Sequence, residues 1–117
     1  MINRFFKVMK VYRFPLGTEA ELQDHVESVL KLEKIEYKRE FRLDSKNRPD
    51  FMIDDYAVEL KIGSTRAQAM SIYRQCERYA RFDQVKGIVL ITNRAMGFPP
   101  EINGKPAYCF SLGAAWL

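Results

Sequence analysis

Two short apolar runs, Phe51-Met52-Ile53 and Tyr56-Ala57-Val58, flank an Asp54-Asp55 pair within residues 48–62. This is the pattern of two strands joined by a hairpin turn, since Asp tolerates turn geometry and the flanks are strand formers. Side chains alternate faces along a strand, so Glu59 and Lys61 point one way and Leu60 the other. Upstream, Leu22, Val26, Val29 and Leu30 recur at helical spacing and predict a helix from residue 18 to about residue 34. Thr18 is its N-cap, with Glu21 at capping-box spacing. Downstream, Ala69, Ile72, Tyr73, Cys76, Tyr79 and Ala80 form a second stripe, on a helix capped by Ser64 or Thr65 and reaching about residue 82. The run G-I-V-L-I-T at 87–92 is unbroken, the mark of a central strand buried on both faces. A helix between residues 62 and 87 fits a right-handed crossover to a parallel neighbour.

Residues 3–14 mix aromatic, β-branched and basic side chains and read as a strand or ordered arm. Lys7 and Lys10 would protect it as an edge strand; the alternative is a basic arm against nucleic acid or a dimer partner. Residues 37–43 read as a strand, 44–47 as a polar turn, 93–104 as a loop, 105–112 as a last strand and 113–117 as an apolar tail. The result is an α/β fold, a mixed central sheet flanked by helices, in a single domain over residues 1–117. Its parts are an arm (1–14), a core (18–92) and a C-terminal loop, strand and tail (93–117). A chain of 117 residues holds one modest core and not two.

Composition narrows the chemistry. Apolar residues make up 47% and charged ones 29%, as in ordinary soluble globular proteins. The net charge of +4 gives a weak attraction to polyanions. Cys76 and Cys109 lack metal-ligand spacing and read as reduced, buried thiols of a cytoplasmic protein. No apolar run approaches membrane-spanning length, and no signal-peptide core is present. With His25 the one histidine, a histidine zinc site or a Ser-His triad has little to work with. Neither a membrane nor an organic cofactor is expected.

The hairpin brings Asp50 back beside Glu59, so two carboxylates and the Lys61 ammonium converge at one sheet edge. Two carboxylates make a hard oxygen site for Mg²⁺ or Mn²⁺, which keeps several waters and binds phosphate oxygens. At a phosphodiester such an ion activates water and neutralises charge, and a lysine can orient that water. The plainer alternative is that Asp50 caps a turn and Glu59 and Lys61 form a solvated strand face. Glu40 reads as a cross-strand partner of a base, with support of the metal site as its other reading.

Pro49-Asp50, eight residues, then Glu59-Leu60-Lys61 resembles the PD-(D/E)xK motif of the restriction-endonuclease-like nucleases. The element order over residues 18–92 is similar to the αβββαβ core of that fold. The resemblance implies that Asp50 and Glu59 hold Mg²⁺ or Mn²⁺, that the Leu60 carbonyl is a further ligand, and that Lys61 positions water. It also implies a helix acid that binds a water or second ion. Glu19 fits, with Leu22 and Val26 three and seven residues on, as in archaeal Holliday junction resolvases; Glu21 competes but has its capping role. Gln75 and Tyr79 resemble the Q-x-x-x-Y element of RecB-type nucleases, set at the substrate side, although Tyr79 can equally be core.

Arg48, Arg66 and Arg78 are candidates for the phosphate backbone, with a solvated face as their default explanation. The implied function is metal-dependent hydrolysis of DNA phosphodiester bonds at flaps, ends or junctions, in repair or recombination. Virus-type replication-repair modules are equally similar. The alternatives are an inactive nucleic-acid-binding or assembly module, and an accessory protein docked through its apolar tail. A two-fold homodimer through Phe5, Phe6, Val8 and Tyr12 and through Ala114, Ala115, Trp116 and Leu117 is a further expectation, with a monomer as its alternative.

Overall fold

The computed structural model describes residues 2–14, 17–63, 65–93 and 97–112. Along the chain come α1 (Ile2–Val11), α2 (Glu19–Leu32), β1 (Lys38–Arg39), β2 (Phe51–Ile53) and β3 (Tyr56–Lys61). A 3₁₀ turn (Arg66–Gln68) then leads into α3 (Ala69–Ala80), followed by β4 (Gly87–Thr92), β5 (Glu101–Ile102) and β6 (Lys105–Ser111). The strands form one mixed sheet in the order β1-β2-β3-β4-β6-β5. β1, β2 and β3 are successively antiparallel, β4 and β6 run parallel to β3, and β5 runs antiparallel to β6.

The hairpin closes as its sequence requires. Ile53 pairs with Tyr56, and Asp54 and Asp55 take φ of 51° and 65°. A two-residue turn matched to strand twist needs left-handed backbone at both central positions, and Asp is one of the few non-glycine residues that accepts it. The turn is tied down by the Lys86 N–H on the Asp55 carbonyl at 2.7 Å and by the Ile2 N–H on Asp54 Oδ2 at 3.2 Å.

Each face of the sheet is covered by helix. Phe51, Ile53, Val58, Leu60, Val89 and Ile91 pack with Phe5 and Val8 of α1 and Leu22, Val26 and Leu30 of α2. On the opposite face Met52, Ala57 and Ile88 pack with Cys76, Tyr79 and Ala80 of α3. β4 is buried along its whole length, as a central strand between parallel neighbours must be. α2 starts where its capping box predicts, with the Glu21 N–H on Thr18 Oγ1 at 3.1 Å. Thr65 caps the 3₁₀ turn ahead of α3; Ser64, its competitor, lies outside the described residues.

Three expectations change. Residues 3–14 are not a strand or arm: Ile2–Val11 is a helix. Phe5, Val8 and Met9 recur at helical spacing and are buried, and that period outweighs the strand-forming composition. Phe5 and Val8 are therefore core residues, not dimer surface. Phe6 is half-buried against Tyr108 and Phe110, and residues 114–117 lie outside the described residues. The strand at 37–43 contracts to Lys38–Arg39, because Glu40 turns to a φ of 52° and gives its N–H to the Asp50 carbonyl at 2.8 Å. Within the expected loop 93–104, Glu101–Ile102 pairs with β6 through an Asn103-Gly104 turn whose φ values are 49° and 76°. Cys76 is buried and Cys109 partly so; both are free thiols. No helix among the described residues is long and apolar enough to cross a membrane.

Candidate active site

The ladder between β2 and β3 runs from Ile53–Tyr56 to Phe51–Val58, so the next step sets Asp50 opposite Glu59. The Asp50 N–H reaches Glu59 Oε1 at 3.3 Å. Pro49 precedes it and has no N–H to extend the ladder. In place of a strand partner, the Leu60 N–H donates to Asp50 Oδ2 at 2.8 Å. The N–H and C=O of a strand residue face the same side, so the Leu60 carbonyl is turned to this edge as well.

Each acid is held by a helix. Asp50 Oδ1 accepts from Gln23 Nε2 of α2 at 2.9 Å. Gln23 Oε1 accepts in turn from Arg39 at 3.2 Å, and Arg39 is clamped by Asp24 at 2.9 Å and Glu27 at 3.0 Å. Glu59 is 4% exposed. Its Oε1 accepts from the Tyr79 hydroxyl at 3.1 Å, and its Oε2 lies 3.4 Å from Lys61 Nζ. Gln75 Nε2 donates to that same hydroxyl at 3.0 Å. Gln75, Tyr79 and Glu59 thus form one chain of hydrogen bonds. The sequence places Tyr79 at the substrate side or in the core; it is 1% exposed and fixes the Glu59 carboxylate from within.

Glu19, in the first turn of α2, accepts the Ile62 N–H at 3.0 Å and so docks the helix on the end of β3. Glu21 stays at the cap, which leaves Glu19 as the helix acid beside the strand pair. Between α2 and α3 opens a cleft of ≈ 400 Å³ whose walls include Glu19, Lys61, Gln68, Gln75 and Arg78. Asp50 and Glu59 do not line it; Lys61 does, and reaches back to Glu59. Arg78 bonds Asn47 Oδ1 at 3.3 Å from its exposed position. Arg48 and Arg66 are exposed and stand outside the cleft lining, and Glu40 is exposed as well. A larger cavity of ≈ 820 Å³ near Tyr37, Phe41 and the Asp54-Asp55 turn contains none of the candidate residues.

Burial pushes Glu59 up to about 7, with the neighbouring Asp50 charge adding to it and Lys61 opposing. Burial likewise pushes Asp50 up to about 6, against the Leu60 N–H and Lys61, while Glu19 and Glu40 add to the rise. Tyr79 is raised by burial and by Glu59, which keeps it a donor. A buried and a partly buried acid, both with raised proton affinity, form a site that a bound cation would stabilise. Among the described residues no group of three or more His, Cys, Asp or Glu side chains is placed to hold a metal ion. Two carboxylates beside a backbone carbonyl still suit a Mg²⁺-type ion, which keeps waters and takes further oxygens from phosphate.

Gln23 and Arg39 belong to the site without standing out in the sequence. The available signal is that Gln23 lies one helical turn after Glu19 and so shares its face. Comparison of the chain with family models, with curated proteins and with solved structures returned no match.

Proposed function

We propose that the protein is a divalent-metal-dependent nuclease of the restriction-endonuclease-like class, hydrolysing phosphodiester bonds of DNA. One observation carries this reading. A buried Glu59 and a partly buried Asp50 meet at the end of β3, with the Leu60 backbone and Lys61 beside them and a polar cleft alongside. The run α2-β1-β2-β3-α3-β4 also follows the αβββαβ order of that core.

Asp50 and Glu59 would hold Mg²⁺ or Mn²⁺, with the Leu60 carbonyl as a third ligand. The bound ion supplies a more acidic water and neutralises charge at the phosphate. The chain's own groups do the rest. Lys61 orients the attacking water and stabilises the charge that develops on phosphate oxygens. Water adds to phosphorus and one bridging P–O bond breaks, leaving a hydroxyl and a phosphate monoester. Glu19 holds a water at the cleft wall. Gln75 and Tyr79 fix the Glu59 carboxylate, and Gln23 fixes that of Asp50. Arg78 faces the phosphate backbone at the cleft rim.

The test is incubation with linear duplex, single-stranded and branched DNA, with Mg²⁺ and with chelator. Cleavage that needs the ion and is lost in Asp50→Ala supports the nuclease. Intact substrates throughout, with the fold confirmed by circular dichroism, remove it in favour of a binding module.

A further inference from the structure

The whole positive excess of the chain lies in its first 14 residues. Arg4, Lys7, Lys10 and Arg13 are the charged residues there, and the first acid is Glu19. Taking those four from the 19 bases leaves 15 against the 15 acids of the chain. Among the described residues of the rest of the chain, four bases are ion-paired: Arg39 with Asp24 and Glu27, Lys61 with Glu59, Arg81 with Glu77, and Lys86 with Asp55. In the N-terminal segment only Arg4 has an ionic partner among the described residues, Glu33 at 3.6 Å, and Arg4 stays half-exposed.

The helix sorts these residues onto one face. Asn3, Arg4, Lys7, Lys10 and Val11 are exposed and follow each other at helical spacing, opposite the buried Phe5, Val8 and Met9. Arg4 to Lys10 spans about 9 Å along the axis. The stripe is rigidly mounted, since the Ile2 N–H bonds Asp54 at 3.2 Å, Tyr12 bonds Glu33, and the Phe6 ring packs on Tyr108 and Phe110. It is also electrostatically costly. Arg4–Lys7 and Lys7–Lys10 are like-charge neighbours one turn apart, and Arg4 sits in a first turn that favours acids.

We infer that α1 is a phosphate-binding element, laying Arg4, Lys7 and Lys10 along the sugar-phosphate backbone of a nucleic acid, independently of base sequence. This rests on the reading that the substrate is a nucleic acid. Charge complementarity selects the occupant, because a row of cations with no acid on its own helix matches a row of phosphates. A membrane surface fits less well: an interfacial helix needs its apolar face free, and here that face is built into the protein core. The molecule measures 33 × 32 × 25 Å. A duplex in contact with it over one turn, about 34 Å, is as long as the molecule itself.

The experiment uses the full chain in chelator, so that binding is read without cleavage. Anisotropy of a labelled 30-mer duplex and of its single strand is followed from 50 to 200 mM KCl. The variants are Arg4→Gln/Lys7→Gln/Lys10→Gln and a charge-matched control, Lys31→Gln/Lys38→Gln/Lys46→Gln. Each phosphate contact contributes about 0.9 to the log–log salt slope for duplex and about 0.7 for single strands. The α1 variant is therefore expected to flatten the duplex slope by about 2–3 and to bind at least about tenfold more weakly at 50 mM, with the control changing the slope by less than one. Equal slopes for the two triple variants overturn the proposal. So does binding of the wild type to vesicles containing one-fifth phosphatidylserine with no binding to DNA. Cleavage in Mg²⁺ is read in parallel. Cleavage with an unchanged slope refutes the stripe and leaves the nuclease standing, while a flattened slope without cleavage does the reverse.

Discussion

The β2-β3 hairpin carries an acid pair at each end, and the two pairs behave oppositely. Asp54 and Asp55 stand exposed at the turn, where left-handed backbone selects them and the Ile2 N–H and the Lys86 ammonium answer their charges. Glu59 stands buried and Asp50 partly buried at the other end, and burial raises the proton affinity of both. Residue type is nearly the same in both. What differs is desolvation, and with it the capacity for chemistry: water satisfies the first pair, whereas the second gains by taking up a proton or a cation.

The sharpest way to break this contrast is to neutralise one acid from each pair. Asp50→Asn should lower Mg²⁺-dependent cleavage by about 10³-fold or more, and Asp54→Asn should stay within about twofold, away from the reacting groups. Comparable losses at both ends, measured as single-turnover rates, would erase the distinction.

Next comes stability against pH. Asp50 and Glu59 keep protons in the folded chain above the pH where the unfolded chain has released them. Their contribution is therefore fully present below about pH 4 and is lost as pH rises through about 7. A tenfold change in proton affinity corresponds to about 1.4 kcal/mol, so with both acids raised the wild type should lose several kcal/mol relative to Asp50→Asn/Glu59→Gln between pH 4 and 8. Calorimetry in chelator reads this as a wild-type melting temperature that falls relative to the variant. A relative rise with pH would contradict the burial argument. Added Mg²⁺ should restore stability at pH 8 in the wild type alone.

Smaller effects belong to the groups that hold the acids. Gln23→Leu and Tyr79→Phe should each slow cleavage about tenfold, the loss of one hydrogen bond to a carboxylate, and Gln75→Ala should slow it by less, since its bond is to the Tyr79 hydroxyl. Because the Tyr79 bond holds the Glu59 pKa down, Tyr79→Phe should also move the acid limb of the pH–rate profile upward. An unmoved limb with a lower melting temperature would assign Tyr79 to packing alone. Smallest of all, Asp55→Gly should stabilise the turn by about 0.5–1 kcal/mol in urea unfolding, because glycine accepts a φ of 65° more readily and the exposed Lys86 pair it removes is worth little.

What is local is legible in the sequence. Asp50 and Glu59 are nine residues apart across a turn whose type follows from Asp-Asp, so their meeting can be read directly. α2, α3 and β4 carry unbroken periods. α1 departs from expectation because Phe, Val and Tyr argue for strand while only their spacing argues for helix. Glu40 ends β1 through a bond to the Asp50 carbonyl, which no local pattern announces. Gln23 reaches Asp50 across 27 residues and Arg39 reaches Gln23 across 16, through contacts that exist only once α2 lies on the sheet.

Those separations also set an order for assembly. Closing the loop from Asp50 to Glu59 spans 9 residues, whereas bringing Glu19 to Ile62 spans 43. The entropy of closure differs by about 1.4 kcal/mol between them, in favour of the hairpin. The charged half of the site is thus a nearly local structure, and the half that faces the cleft is a tertiary one. Refolding should accordingly show the strand acids meeting before the helix acid arrives, with substitutions that destabilise the turn at Asp54 and Asp55 slowing folding and those at Glu19 speeding unfolding.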